Sequence, residues 1–269
     1  MHWYGAYSFL QENIVTYCVA VKVDDGLVFA ADSRSNAGVD YIRTYRKMYQ
    51  FAWPGDRILM ILVSGNLATT QAVINKLQND LDNDKPTNLK KAKRLSDVAH
   101  YIGLLSKQEQ SEHADAFKKN TAALEATFIV GGQIGDQDDD IYLIYPEGNY
   151  ITVSPETPYM QIGETKYGKP ILDRIIHNDT NLDDAARCAL VSLDSTMRSN
   201  ISVGPPLELA IYQADSLQEP RHLKIDTSTP LYIQIQEQWA KGLQQAFDGL
   251  PRFDWETPVI PHSVIPGGE

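Results

Sequence analysis

Four places in the first quarter of the chain carry residue types that can act on one another. Thr16 opens the run T-Y-C-V-A-V-K-V, Asp32 ends G-L-V-F-A-A-D, Lys47 lies in Y-R-K-M-Y, and Ser64-Gly65 closes R-I-L-M-I-L-V-S-G. A hydroxyl, a carboxylate, an ammonium and a glycine N–H suit a threonine nucleophile. Threonine is a weak nucleophile and needs a base. At the first position of a chain its own α-amine, with a pKa of about 7.7–8.0, is close to neutrality and can take the hydroxyl proton. A Lys47 ammonium beside it favours the alkoxide and lowers the amine's pKa, and Asp32 keeps that lysine charged and in place. The Gly65 N–H, near a helix start, suits a developing oxyanion. Each residue alone is ordinary: threonine is common in strands, aspartate ends strands at turns, and lysine is mostly solvated. A lysine inside an aromatic-rich strand is less usual.

These residues need a frame. Thr16–Val23 and Leu27–Ala31 read as two β-branched strands around the turn Asp24-Asp25-Gly26. Tyr45–Phe51 and Arg57–Val63 read as a second hairpin, so that three of the four places meet at one end of a sheet. The period then becomes helical, through Leu67, Thr70, Ile74, Leu77 and Leu81, and again through Leu95, Val98, Ile102 and Leu105. Strands return at Thr127–Val130, Ile141–Tyr145 and Tyr150–Val153, with turns at Gly131-Gly132 and Asp136–Asp140. Helices follow at Lys169–Ile176 and Leu182–Met197, strands at Leu207–Tyr212 and His222–Ile225, and a last helix carries Trp239, Leu243, Phe247 and Leu250. Runs of strands alternating with pairs of helices predict an α+β fold, two antiparallel sheets packed together with helices on the outer faces. One domain is expected over residues 16–250, with an extension at 1–15 and an irregular, proline-rich tail at 251–269.

Other chemistries find no support. The chain of 269 residues carries 24 Lys and Arg against 35 Asp and Glu, a net charge of −11 that disfavours nucleic acid. No apolar run is long enough for a membrane span. There is no phosphate-binding glycine loop, no dinucleotide motif, no HExxH and no GxSxG, so no cofactor is expected. The six histidines are scattered without metal-ligand spacing, and the acidic run at Asp136–Asp140 lacks the glycine and glutamate of a calcium loop. No metal is expected. Two cysteines, Cys18 and Cys188, and no secretory leader point to a reducing, cytoplasmic setting.

Six separated blocks are recognisable. T-Y-C-V-A-V, G-L-V-F-A-A-D-S-R-S-N-A-G-V-D, Y-R-K-M, S-G-N-L-A-T-T-Q, I-G-E-T-K-Y-G-K-P-I-L and S-N-I-S-V-G-P-P-L resemble proteasome-type β subunits, closest to the bacterial Anbu (ancestral β subunit) peptidases. The resemblance implies the N-terminal nucleophile hydrolase fold, a four-layer αββα sandwich. It implies peptide-bond hydrolysis by Thr16, with the freed amine as base, Asp32 and Lys47 as charged partners and Gly65 at the oxyanion. It assigns Arg34 to support of the loop after Asp32, Ser202 to the surroundings of the amine, and Val63 and Leu67 to the substrate pocket. The family's aspartate three residues before Ser202 is replaced by Ser199, and its other serine by Glu164, which adds a carboxylate.

Thr16 is preceded by Val15, whose branched side chain hinders self-cleavage. Residues 1–15 are therefore read as a propeptide or as a mis-assigned start. The resemblance also implies a homo-oligomer, a ring or an open helical assembly, acting on peptide or protein; nothing in the residues names an ATPase partner. Two other readings share this frame: an N-terminal nucleophile hydrolase of a small or unusual amide, and a non-catalytic structural subunit.

Overall fold

The computed structural model describes residues 16–36, 42–113 and 124–256. Its elements run β1 (Tyr17–Val23), β2 (Gly26–Asp32), β3 (Arg34–Asn36), β4 (Ile42–Thr44), β5 (Met48–Trp53), β6 (Arg57–Gly65), α1 (Leu67–Asp82), α2 (Leu95–His113), β7 (Ala126–Ile134), β8 (Asp140–Ile144), β9 (Tyr150–Thr152), β10 (Tyr159–Gly163), α3 (Lys169–Ile175), α4 (Leu182–Ser199), β11 (Leu207–Gln213), β12 (Arg221–Ile225) and α5 (Pro230–Asp248). Two five-stranded antiparallel sheets result, ordered β10-β1-β2-β11-β12 and β5-β6-β7-β8-β9, with β3-β4 as a separate ribbon. This is the α+β sandwich expected from the alternation of strand runs and helix pairs.

Period-2 burial makes the layers. Val19, Val21, Val28, Leu209 and Ile211 turn outward to α3 and α4, while Ala20, Phe29, Ala31, Ala210 and Tyr212 turn inward against Met60, Leu62 and Ile129 of the second sheet. The opposite face of the second sheet, with Leu59, Ile61 and Val130, is covered by Val73, Leu77, Val98 and Ile102 of α1 and α2. The starts of α1 and α4 are capped by asparagine: Asn66 Oδ1 accepts the Thr69 N–H and Asn181 Oδ1 the Asp184 N–H. In α4, Asp183 and Asp184 in the first turn and Arg198 in the last complement the helix dipole.

Three expectations are corrected. The two hairpins do not share a sheet: β1-β2 belongs to the first and β5-β6 to the second, so the candidate residues meet across the sandwich. Gly131-Gly132 is not a turn but the middle of β7, where a side chain on Gly131 would run into Phe29 and Ile141, and one on Gly132 into the Ile58 backbone. Lys47 lies just before β5 rather than inside a strand, on the segment that leads out of the β3-β4 ribbon. The sequence reading also lacks β3, β4 and β10. Residues 251–256 form neither helix nor strand, while residues 1–15 and 257–269 lie outside the described residues.

Candidate active site

Asp32 organises one end of the inter-sheet layer. It is fully buried at the last position of β2. Its Oδ1 accepts the Tyr17 N–H at 3.0 Å and Lys47 Nζ at 2.8 Å. Its Oδ2 accepts the N–H of Gly204 at 3.1 Å and of Arg34 at 3.2 Å. Burial pushes the Asp32 carboxyl above the usual carboxylate range, and the Lys47 ammonium and the backbone donors offset only part of that. All four neighbours are donors, so a protonated carboxyl would point its hydrogen at another hydrogen. The group is therefore held as a carboxylate. Lys47, itself 4% exposed, also donates to the Arg34 carbonyl. A buried ion pair with its remaining valences filled in this way avoids most of the desolvation cost that such pairs carry.

The other candidates are placed around this pair. Thr16 immediately precedes Tyr17, whose N–H is on Asp32, and is 2% exposed. Its carbonyl oxygen accepts the Glu164 N–H at 2.7 Å. Gly163, just before, has φ +86°, and a side chain there would strike that same Thr16 carbonyl and crowd Ser64 Oγ. This contact joins the end of β10 to Thr16 and to the Ser64-Gly65 corner. Val63 N–H is bonded to the Lys47 carbonyl at 3.0 Å, which ties Lys47 to the end of β6.

Gly65 has φ +100°, and a Cβ there would collide with the Glu125 carbonyl. No residue with a side chain is tolerated. It stands directly before the Asn66 cap of α1, at the positive end of a 16-residue helix. Arg34 sends Nη1 to the Ile201 carbonyl at 2.9 Å and lies flat on Gly204, where a side chain would overlap its guanidinium. Ser202 sits in the same turn, its N–H on Asn200 Oδ1 at 3.0 Å.

Three predicted residues are further out. Val63 is buried in the core beneath α1 and α2, and Leu67 is half-buried at the first position of α1. Ser199 is exposed at the end of α4, lining with Arg34 a cavity of about 610 Å³ on the outer side of the turn. Three groups were not read from the sequence: Tyr17 N–H and Gly204 N–H, whose backbone donors no side-chain pattern reveals, and Asn200, which lies within a quoted block but carries no catalytic residue type.

Cysteine chemistry is unsuited to this site. Cys18 neighbours it, but the thiol is fully buried with Sγ 3.7 Å from the Val63 carbonyl, and burial pushes its pKa up. Cys188, on the buried face of α4, is pushed up to about 12 by burial. Neither forms the thiolate that a cysteine nucleophile requires. Among the described residues no cluster of three or more His, Cys, Asp or Glu is arranged to hold a metal, and no helix is long and apolar enough to cross a membrane.

A buried carboxylate–lysine pair beside a threonine, at the mouth of two packed antiparallel sheets flanked by helices, is the arrangement of the proteasome and N-terminal nucleophile hydrolase class. The proteasome-subunit family profile matches residues 15–212, and the chain belongs to that family. Within it, the chain is similar to Anbu proteins of solved structure. Anbu from Yersinia bercovieri is 40% identical with a TM-score of 0.83, the match covering 90% of this chain and 100% of that one. The helical assembly of the Anbu complex from Pseudomonas aeruginosa is 44% identical with a TM-score of 0.85, covering 89% and 99%. Anbu from Hyphomicrobium sp. strain MC1 is 40% identical with a TM-score of 0.80, covering 89% and 100%. No curated protein matches the chain.

Proposed function

We propose that the chain is a threonine-type endopeptidase subunit in which Thr16, once it is the first residue, is the nucleophile. The observation that carries this reading is the Asp32 carboxylate, which bonds both the Tyr17 N–H next to Thr16 and the buried Lys47 ammonium. The ammonium that balances buried Asp32 is also suited to favour an alkoxide forming on Thr16.

The steps balance without a cofactor. The free Thr16 amine takes the Oγ proton, and Oγ attacks the substrate carbonyl carbon. The Gly65 N–H stabilises the resulting oxyanion, helped by the α1 N-terminus. Collapse breaks the C–N bond, and the ammonium gives its proton to the leaving amine. Water, deprotonated by the same amine, cleaves the Thr16 ester and releases the acid. Arg34 supports the turn from Asn200 to Gly204, Ser202 and Glu164 flank the amine, and Ser199 stands behind them. Leu67, half-buried two residues after Gly65, favours apolar substrate side chains, whereas Val63 is taken up by the core beneath α1 and α2.

Two conditions attach to activity. The first is a free amine, because an amide nitrogen is not a base; residues 1–15 must be removed or never made. The second is assembly into a homo-oligomer, as the helical assembly of the Pseudomonas relative suggests. The exposed apolar positions Leu243, Phe247 and Leu250 of the α5 end, 54%, 68% and 57% exposed, suit burial against a second copy. Unpaired thiols and no membrane-crossing helix among the described residues fit a cytoplasmic setting.

The test is the intact mass and N-terminal sequence of protein made in a bacterial host, followed by hydrolysis of a fluorogenic peptide library by the wild type and Thr16→Ala. A chain beginning at Thr16 with hydrolysis lost in the variant is the expected result. A stable chain beginning at Met1, or equal hydrolysis in Thr16→Ala, overturns the assignment in favour of a structural subunit.

A further inference from the structure

Asn200 ends α4, its backbone N–H bonded to the Thr196 carbonyl at 2.8 Å. Its side chain makes two more bonds. Nδ2 donates to Glu164 Oε2 at 3.1 Å, and Oδ1 accepts the Ser202 N–H at 3.0 Å. The carboxamide cannot be turned over. A carboxylate only accepts and a backbone N–H only donates, so nitrogen must face Glu164 and oxygen must face Ser202.

Both partners lead back to the nucleophile. Glu164 is fastened to Thr16 by its own N–H, 2.7 Å from the Thr16 carbonyl oxygen. The far side of the Asn200–Gly204 turn is clamped by Arg34 Nη1 on the Ile201 carbonyl and by the Gly204 N–H on Asp32 Oδ2. One short turn thus runs from Glu164, whose backbone is bonded to Thr16, to Asp32, whose carboxylate is bonded to the N–H of Tyr17.

We propose that Asn200 is a positioning residue for the Thr16 amine, its carboxamide holding the Glu164 carboxylate and the Ser202 turn beside it. The proposal rests on the reading of Thr16 as nucleophile. Among the described residues, the charged side chains on the segments bonded to Thr16 and Tyr17 and on the turn that joins them include Asp32 and Lys47, paired with each other, Arg34, engaged on Ile201, and Glu164, engaged by Asn200. Lys47 favours the neutral amine and Glu164 favours the ammonium. The amine's affinity for its proton is then set by where Asn200 keeps Glu164. An aspartate at 200 cannot replace it, because it would add a second negative charge against Glu164.

The variants separate this role from simple support of a helix end. Asn200→Ala releases Glu164, so the amine's pKa falls. Glu164→Gln removes the charge, and the pKa falls again. In a Glu164→Gln background Asn200→Ala has no carboxylate left to release, so it adds no further fall. Each is made in protein prepared to begin at Thr16, and the amine is titrated by competitive acetylation with acetic anhydride, read by mass spectrometry of the N-terminal peptide. The acid limb of kcat/KM on a fluorogenic peptide is followed alongside.

The expected shifts are about half to one pH unit downward in Asn200→Ala and in Glu164→Gln, with no further fall in the double variant. In Asn200→Ala, kcat falls roughly tenfold while KM changes by less than about twofold. Shifts that are absent, or that add in the double variant, overturn the proposal. If Asn200→Ala does not fold, Asn200→Ser, too short to reach Glu164, gives the same comparison with and without Glu164→Gln. The amine titration needs no hydrolysis. Shifted amines with hydrolysis that survives Thr16→Ala keep the positioning role and sink the peptidase reading; unshifted amines with Thr16-dependent hydrolysis do the reverse.

Discussion

The two ends of the layer between the sheets solve the same problem differently. At one end a carboxylate and an ammonium, Asp32 and Lys47, meet at 2.8 Å with side chains that are 0% and 5% exposed. At the other, Tyr212 donates to Gln133 Oε1, and Gln133 Nε2 reaches the exposed Asp215 at 2.7 Å. The pleat puts them apart: β2 runs from Gly26, opposite Gln213, to Asp32, opposite Leu207. In its buried layer the far end joins the sheets with uncharged groups, the cheaper way to fill a polar gap in a core, while the Lys22–Asp140 ion pair between the sheets, 3.4 Å apart, stays at the partly exposed rim with side chains 31% and 23% exposed. The near end instead buries its full charges. That difference marks the near end as the place where charge has work to do beyond stability.

The contrast is tested most severely by Thr16→Ala in protein that would otherwise begin at Thr16. Peptide hydrolysis is expected to drop by at least about 10³-fold, the scale of losing a covalent nucleophile. The urea midpoint should stay close to that of the wild type. Lys47→Ala comes next. It strands Asp32 among backbone donors with no counter-charge, a loss of about 3–5 kcal/mol in urea unfolding. Hydrolysis should be lost as well, even under conditions where the variant is folded. A Lys47→Ala protein of unchanged stability would mean that Asp32 is not held as a carboxylate.

Much of this was legible in the chain. The short apolar, β-branched runs at Tyr17–Val23 and Gly26–Asp32 and the 3.6-residue period of α1 and α4 marked the elements, because burial dictates those patterns locally. Thr16, Asp32 and Lys47 stood out by type. What was not legible depended on distant pairing. The strand Tyr159–Gly163 has a single β-branched residue and exists because β1 offers it an edge, in register from Tyr17↔Gly163 to Val21↔Tyr159. Gly131 and Gly132 look like a turn until the Phe29 ring and the Ile58 backbone fill the space beside them. Asn200 is an ordinary helix-ending residue until Glu164, 36 positions earlier, is folded against it.

The far end holds one carboxyl that sharpens the comparison. Asp139 is 9% exposed, its Oδ2 is buried without a partner among the described residues, and burial pushes its pKa up to about 6. Unlike Asp32 it has no ammonium in hydrogen-bond contact; Lys22 reaches its neighbour Asp140 at 3.4 Å instead. The pKa is higher in the folded chain than in the unfolded one. Between pH of about 4 and about 6 the folded state keeps a proton the unfolded chain has released, so stability falls as pH rises through that window. Above it the penalty is constant. Asp139→Asn is therefore expected to stabilise the protein by about 1–2 kcal/mol at pH 7.5, after allowance for solvent screening, with the gain vanishing below about pH 4. Urea unfolding at the two pH values measures it; a gain that persists in acid would mean the residue acts through packing instead.

Tyr212→Phe is the mildest change and the most direct test of whether the two ends are independent. The hydroxyl donates to Gln133 Oε1 and accepts the Leu217 N–H at 3.3 Å. Its loss leaves the ring in place, and Gln133 Oε1 keeps the Asp215 N–H at 2.9 Å. One partner of the Leu217 amide disappears at a partly buried site, so the change costs about 1 kcal/mol. Because Tyr212 lies on β11 opposite Leu27 while Asp32 lies opposite Leu207, the loss is felt at the wrong end of the strand to move Lys47 or Thr16. Hydrolysis measured well below the unfolding temperature should stay within about twofold of wild type, on the footing that distant sites without shared partners act additively. A large loss of hydrolysis with stability intact would show that the sheets transmit strain along their length, and that the neutral end is part of the same machine as the charged one.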